Sequence, residues 1–155
     1  VSIIPLEVVV RNYTAGSLAK RFGMPEREKV SPTLIEFYYK NDALGDPLMT
    51  EDHITWMKLA TREEIATLKT QALKLNALLV EFFASLSITL ADFKVEYGRF
   101  GNDILLADEI SPDTCRLWDQ NSQAHLDKDV FRRDLGSLVE AYQEVENRMI
   151  KKGYL

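Results

Sequence analysis

Apolar and polar positions along this chain repeat with two periods, one of a strand and one of a helix. Leu6 to Arg11 (LEVVVR) is an apolar run that reads as a buried strand and delivers Arg11 and Asn12 at its end. The small residues of Tyr13-Thr14-Ala15-Gly16-Ser17 follow, then a short helical segment, Leu18 to Phe22, with Gly23 as its stop. Strand, small-residue turn and helix start can form a cradle for an oxyanion or phosphate, or an ordinary turn and cap. Met24 to Thr33, rich in charge and proline, reads as a surface loop. Leu34 to Lys40 (LIEFYYK) has the content of a strand. Ala43 to Asp52 reads as a loop, and His53 beyond it as a structural or exposed histidine. Thr61-Arg62-Glu63-Glu64 has the form of a capping box, with Thr61 as N-cap and Glu64 reaching back. The helix it opens carries Ile65, Leu68, Ala72, Leu75, Leu79, Phe82 and Leu86 as a core stripe.

The most informative stretch is Asp92 to Asp119. Asp92, Lys94 and Glu96 alternate with Phe93, Val95 and Tyr97, so one strand face carries acid, base, acid and the other apolar bulk. A second run, Ile104 to Ile110, ends in Asp108-Glu109, and Gly101-Asn102 between the two suggests a hairpin. Its register matters. A two-residue turn sets Val95 opposite Asp108, whereas a three-residue turn through Asp103 sets Glu96 opposite Asp108 and brings the carboxylates together. After Ser111-Pro112-Asp113 a loop is expected to present Arg116, Trp118 and Asp119. The last helix, capped by Asp127 or Asp129, is expected to bury Phe131, Leu135, Leu138, Tyr142, Val145 and Met149.

Length and composition narrow the class. The 155 residues suit one domain, and 46% hydrophobic with 28% charged residues describes a globular chain. A net charge of −5 argues against a nucleic-acid or anionic-membrane surface, though a local basic pocket for a phosphorylated small molecule stays compatible. The single Cys115 excludes an intrachain disulfide framework and suits a reducing compartment, so a cytoplasmic location is expected. No apolar run approaches the roughly 18 residues of a membrane span, and no signal peptide is visible. Two histidines and one cysteine make a zinc site a poor expectation, and any metal would be a hard cation held by carboxylates. Opening on Val1, close to a strand, the chain reads as a piece of a longer protein or a processed product.

Five blocks carry a resemblance: VVVRNYTAGSLAKRFG (8–23), FYYKNDALGDP (37–47), DFKVEYG (92–98), LADEISPDTCRLWD (106–119) and LDKDVFRRDLG (126–136). In this order they resemble the phosphoribosylaminoimidazole-succinocarboxamide synthase, or SAICAR synthetase, family of purine biosynthesis. The resemblance implies an α+β, ATP-grasp-related fold, an antiparallel sheet packed with helices and ending in a long C-terminal helix. It implies a ligase that joins L-aspartate to carboxyaminoimidazole ribotide (CAIR) through an acyl phosphate, using ATP and Mg²⁺. The family's glycine-rich phosphate-covering β domain has no counterpart here, so residues 1–155 resemble the C-terminal domain alone, and the segment by itself is expected to be inactive.

Carried onto matching positions, the resemblance implies Arg11, Ser17 and Arg116 at the ribotide phosphate, where arginine suits bidentate anion binding. Glu96 and Asp108 are implied for the nucleotide's Mg²⁺, with Asp92 on the substrate side or at a second ion. Lys94 and Asp92 are the expected catalytic pair, Lys40 is expected at nucleotide or substrate, and Lys128 and Arg132 are expected to face the substrate. A homo-oligomer binding only small molecules, with neither nucleic acid nor membrane as partner, is the expected state. Two other readings remain open: a kinase-like phosphotransferase, which Asp-x-Lys-x-Glu followed by an aspartate would serve equally, and a non-catalytic domain that binds ribotide or mediates oligomerisation.

Overall fold

An eight-residue apolar strand at the centre of a sheet organises the structure, a computed structural model that describes residues 1–155. The chain runs β1 (Ser2–Ile3), β2 (Leu6–Tyr13), α1 (Gly16–Phe22), β3 (Lys29–Tyr39), a 3₁₀ turn (Asp42–Leu44), β4 (Leu48–Met49), α2 (Glu51–Trp56) and α3 (Arg62–Ser85). It continues through β5 (Ile88–Val95), β6 (Tyr97–Phe100), β7 (Asp103–Leu106), β8 (Cys115–Asp119), α4 (Asp129–Arg132) and α5 (Leu138–Lys151). Two antiparallel sheets result, one ordered β4-β3-β2-β5-β8 and a smaller one ordered β1-β6-β7. The α+β class and the antiparallel sheet packed with helices are as the sequence implied. No helix is long and apolar enough to cross a membrane.

Alternation decides which face of the large sheet is core. Leu6, Val8 and Val10 of β2, Phe37 of β3, Phe93 and Val95 of β5 and Leu117 of β8 are buried together with Ile65, Leu68, Ala72 and Phe83 of α3. Each fully buried aliphatic or aromatic side chain contributes about 1.5–3 kcal/mol by leaving water. The opposite face carries Glu7, Arg11, Glu36, Tyr38, Asp92, Lys94 and Arg116, because residues opposite one another across a ladder share a face.

The capping box of α3 forms as its sequence indicates: Thr61 Oγ1 accepts from the Glu64 amide at 3.1 Å, and Glu64 Oε1 accepts from the Thr61 amide at 3.0 Å. Glu64 also receives Arg99 of β6, so one side chain both starts the helix and ties the small sheet to it. His53 is structural, closing a second capping box with Thr50. Asn76, inside the α3 stripe, is buried in a reciprocal amide pair with Asn12 of β2, at 2.8 and 3.0 Å.

Three local expectations differ from the fold. Lys29 to Thr33 is strand rather than loop, because pairing with β2 reaches back to Tyr13↔Lys29 through an irregularity beside Arg11. Cys115 to Asp119 is likewise strand, paired with β5 along the edge of the large sheet. The long C-terminal helix is two helices. The apolar spacing continues through the break, but Arg133 to Ser137 leaves helical geometry, and Ser137 caps α5 by accepting from the Glu140 amide. Phe131 and Leu135 are consequently exposed, and only the later part of the stripe, Val145 and Met149, packs on the core.

Asp119 staples β8 to α5. Its carboxylate accepts from the Ser122 and Asn121 amides and from Arg148 Nη2 at 2.6 Å. The Ser122 amide leads in lowering its pKa from 3.8 to about 2. A depressed folded pKa adds stability above the unfolded value and loses it as pH falls through the folded one. Urea unfolding should therefore show Asp119→Asn less stable than the parent at neutral pH, with the gap closing between about pH 4 and about pH 2. A gap independent of pH would refute the charge-based account.

Candidate functional site

The site begins with a row of charges across three strands. Arg11 of β2 lies opposite Asp92 of β5, and Asp92 lies opposite Arg116 of β8. The second pairing depends on a register shift between Leu90 and Asp92. Continued from Leu90↔Leu117, an unbroken ladder would set Asp92 opposite Cys115; the extra residue, Ala91, moves it to Arg116. Asp92 Oδ2 accepts from Arg11 Nη1 at 2.9 Å and from Arg116 Nη1 at 3.1 Å. One buried carboxylate thus holds two guanidiniums.

Each arginine has a second anchor. Arg11 Nε donates to Glu36 Oε1 at 2.7 Å, and its Nη2 donates to Ser17 Oγ at 2.9 Å and Tyr38 OH at 3.2 Å. Arg116 Nε donates to Asp129 Oδ2 at 2.9 Å. Burial opposes the charge on both arginines, but Asp92 with Glu36 or Asp129 outweighs it, and both pKa values rise. Arg116 Nη2 makes no hydrogen bond within the protein, although the side chain is only 20% exposed.

These side chains wall a cleft on the polar face of the large sheet. Arg11, Ser17, Asp92, Lys94, Arg116, Lys128 and Arg132 all line it. Seven expected site residues therefore converge from β2, α1, β5, β8, and α4 with the residue before it. Glu7, Tyr38, Asp113, Asp127 and Asp129, not expected there, line it too. Glu36 and Tyr38 carried a signal in the sequence, since Glu36, Tyr38 and Lys40 alternate with the apolar positions of their strand. Asp129 was read only as a helix cap; its tie to Arg116 has no local signature.

Lys40, Glu96 and Asp108 sit apart from the cleft lining. Lys40 Nζ donates to both Glu96 oxygens, at 2.6 and 2.7 Å, and this bond, supported by the charges of Glu96, Asp108 and Glu7, raises the lysine's pKa. Glu96 lies where the chain passes from β5 to β6, between the two sheets. The turn there has two residues, with Phe100↔Asp103 and Tyr97↔Leu106 paired, so Glu96 meets Ala107 rather than Asp108. The three-residue turn that would bring the carboxylates face to face is not the one formed. Lys94 is paired with Glu7 at 3.2 Å, not with the acids on its own strand.

Asp92 lines the cleft, whereas Glu96 and Asp108 lie apart from it. The one group of three acidic or histidine side chains whose ligand atoms come together is His125, Asp127 and Asp129. Asp92 is already paired with two guanidiniums. The His125 group is no better suited. Asp127 spends its oxygens on the Leu117 and Asp129 amides, and Asp129 faces Arg116 and Arg132. Burial pushes the Asp127 carboxyl up to about 6. Glu96, bonded to Lys40, and Asp108, whose charge helps raise the Lys40 pKa, carry the hard oxygen donors that a divalent cation takes.

The sequence profile of the SAICAR synthetase family matches residues 1–149. The chain belongs to the SAICAR synthetase family. It is 59% identical over 150 residues to the phosphoribosylaminoimidazole-succinocarboxamide synthase of Bacillus cytotoxicus, covering 96% of this chain and 63% of that protein. The chain thus spans somewhat under two thirds of the curated relative's length. The crystal structure of the synthase from Ehrlichia chaffeensis superposes with a TM-score of 0.93 at 46% identity, covering 96% of this chain and 65% of that one. A SAICAR synthetase in complex with ADP superposes with a TM-score of 0.92 at 48% identity, covering 96% and 64%. The cleft described above is therefore built on the scaffold of this family.

Removing the shared carboxylate should expose the cost of its neighbours. Asp92→Asn leaves two largely buried guanidiniums under-compensated, and breaking such a pair costs on the order of 3 kcal/mol. The urea midpoint should fall accordingly, and inorganic phosphate should recover part of the loss by supplying the missing negative charge. A midpoint equal to the parent's would show that Asp92 does not hold the row.

Proposed function

We propose that this chain is the ribotide-binding and ligating part of an ATP-dependent ligase that joins L-aspartate to carboxyaminoimidazole ribotide, releasing SAICAR, ADP and phosphate. The observation that carries the reading is the convergence of Arg11, Ser17 and Arg116 in one cleft that Lys94, Lys128 and Arg132 also line. Three guanidiniums and two ammonium groups in one cleft suit a substrate with both phosphate and carboxylate charges. The names of the relatives and the ADP in one solved neighbour support the same activity. The remaining contacts to the nucleotide, a glycine-rich β domain in this reading, belong to the part of the relatives' length that this chain does not span. The protein is a cytoplasmic homo-oligomer in the same reading.

The reaction transfers the γ-phosphoryl group of ATP to the ribotide carboxylate, with ADP leaving. The aspartate amine then attacks the acyl carbon, inorganic phosphate departs, and the amine gives up a proton. The difficulty is electrostatic, because an anionic oxygen must approach an anionic phosphoryl group. Arg11, Ser17 and Arg116 bind the ribotide phosphate and fix the carboxylate's distance from the nucleotide. Asp92 keeps the two guanidiniums at their spacing. Lys94, half exposed and loosely paired with Glu7, is the cation able to turn toward charge that develops at the carboxylate. Lys128 and Arg132, also in the cleft lining, receive the carboxylates of the incoming aspartate. Glu96 and Asp108 would hold Mg²⁺, with Lys40 adjacent, and the ion supplies neutralisation of the nucleotide phosphates.

Three measurements test this in the full-length protein. ADP release should require both the ribotide and L-aspartate; release independent of aspartate would favour a kinase-like phosphotransferase, and no release with ribotide still bound would favour a non-catalytic binding domain. Arg116→Lys keeps the charge but loses the planar fork, and hydrogen bonds to charged groups contribute about 1.5–3 kcal/mol, so ribotide affinity should fall by roughly tenfold to a hundredfold with ATP affinity nearly unchanged. If ATP affinity falls instead, Arg116 serves the nucleotide. Asp108→Asn should raise the Mg²⁺ concentration needed for activity without changing the unfolding midpoint, and an unaltered Mg²⁺ dependence would remove Asp108 from the metal role.

A further inference from the structure

We propose that Gly16 is a positioning residue for anion binding: by lacking a side chain it leaves the space in which the Arg116 guanidinium lies against the start of α1, beside the Arg11–Ser17 pair. The proposal rests on the assignment of Arg116 to the ribotide phosphate and adds a residue that touches no ligand itself.

The observation is steric. A Cβ placed on Gly16 would stand 2.4 Å from Arg116 Nη2, 2.7 Å from Cζ and 2.8 Å from Nη1. All three separations lie well inside van der Waals contact, so something must shift. The end of an arginine normally yields cheaply, but this one is held by Asp92 at 3.1 and 3.2 Å and by Asp129 at 2.9 Å. If the guanidinium moves, those bonds to a buried carboxylate row are broken. If α1 moves instead, Ser17 is carried away from Arg11, to which it is bonded at 2.9 Å. Both escapes spoil the same pocket. The atom nearest the missing Cβ is Arg116 Nη2, the donor that no protein group uses.

Gly16 has a second reason to be glycine, its φ of +52°. Gly23, the C-cap of the same helix, separates the two reasons. Its φ is +62°, yet nothing lies within 4 Å of where its Cβ would be. Gly23→Ala therefore reports backbone strain alone, and Gly16→Ala reports strain plus collision with Arg116.

The experiment compares Gly16→Ala, Gly23→Ala, Arg116→Ala and the Gly16→Ala/Arg116→Ala double variant of the full-length protein, measuring CAIR affinity by titration and stability by thermal unfolding. Gly16→Ala should weaken CAIR binding by about tenfold or more, whereas Gly23→Ala should lower the unfolding temperature and leave CAIR affinity unchanged. The stability that Gly16→Ala loses beyond Gly23→Ala should vanish in the Arg116→Ala background, because the collision partner is gone. Normal CAIR binding by Gly16→Ala, or the same stability loss in both backgrounds, overturns the proposal. If Gly16→Ala alone does not fold, the double variant should; a double variant that also fails to fold likewise overturns it. Normal CAIR binding by Arg116→Ala is a different result, one that refutes the phosphate-pocket assignment itself.

Discussion

Asp92, nearly inaccessible to water between two arginines, is the constraint on which the site depends. A carboxylate and two guanidiniums withdrawn from water each lose hydration that their mutual attraction must repay. Here the compensation is distributed: Glu36 supports Arg11 from β3, and Asp129 supports Arg116 from the start of α4. Five segments distant in sequence are thereby held to one arrangement. The row leaves the arginines fixed in position while Arg116 keeps one donor unspent. A site built this way is preorganised for an anion, because the guanidiniums need not be gathered or desolvated when the ligand arrives.

The sheet makes the row possible by having two chemically different faces. Its apolar face rests on α3, a 24-residue helix, and on the core that spreads from it. Its polar face is free to carry charge because alternation turns every second residue of β2, β3 and β5 away from that core. The Asn12–Asn76 amide pair links the two layers one residue beyond Arg11, so the strand end bearing the first arginine is tied directly to the helix behind it. The small sheet has a different part. Where the chain leaves β5 for β6, Glu96 emerges at the junction and bonds Lys40, whose pKa the charges of Asp108 and Glu7 also raise. The cleft lining includes the Glu7–Lys94 pair, and the Glu7 charge also acts on Lys40. In the proposed ligase this would divide the work, with positive charge for the substrate and oxygen donors for the nucleotide's metal.

Much of this was legible in the amino-acid order because the signals are local. The alternation of Asp92, Lys94 and Glu96 with Phe93, Val95 and Tyr97 states which face is core. Thr61 with Glu64 starts α3, and Gly23 ends α1, each through contacts spanning a few residues. The clustering of Arg11, Ser17, Asp92, Lys94, Arg116, Lys128 and Arg132 came from the family resemblance of their blocks rather than from periodicity. What required the tertiary structure was partnership. Asp92 faces Arg116 only because Ala91 is an extra residue in the ladder, and Glu96 misses Asp108 only because the hairpin turn holds two residues instead of three. A shift of one residue reverses every such pairing while leaving propensity and hydrophobic pattern almost unchanged. The apolar spacing from Phe131 to Met149 likewise describes one helix well, yet the chain breaks it, because packing of α5 on the core is decided by the surroundings and not by the stripe. The sequence by itself determined which residues form strands and helices and which faces they bury, since those choices rest on interactions between near neighbours. Which charges meet, and which arginine keeps a free donor, was decided only when strands far apart in the chain were set in register.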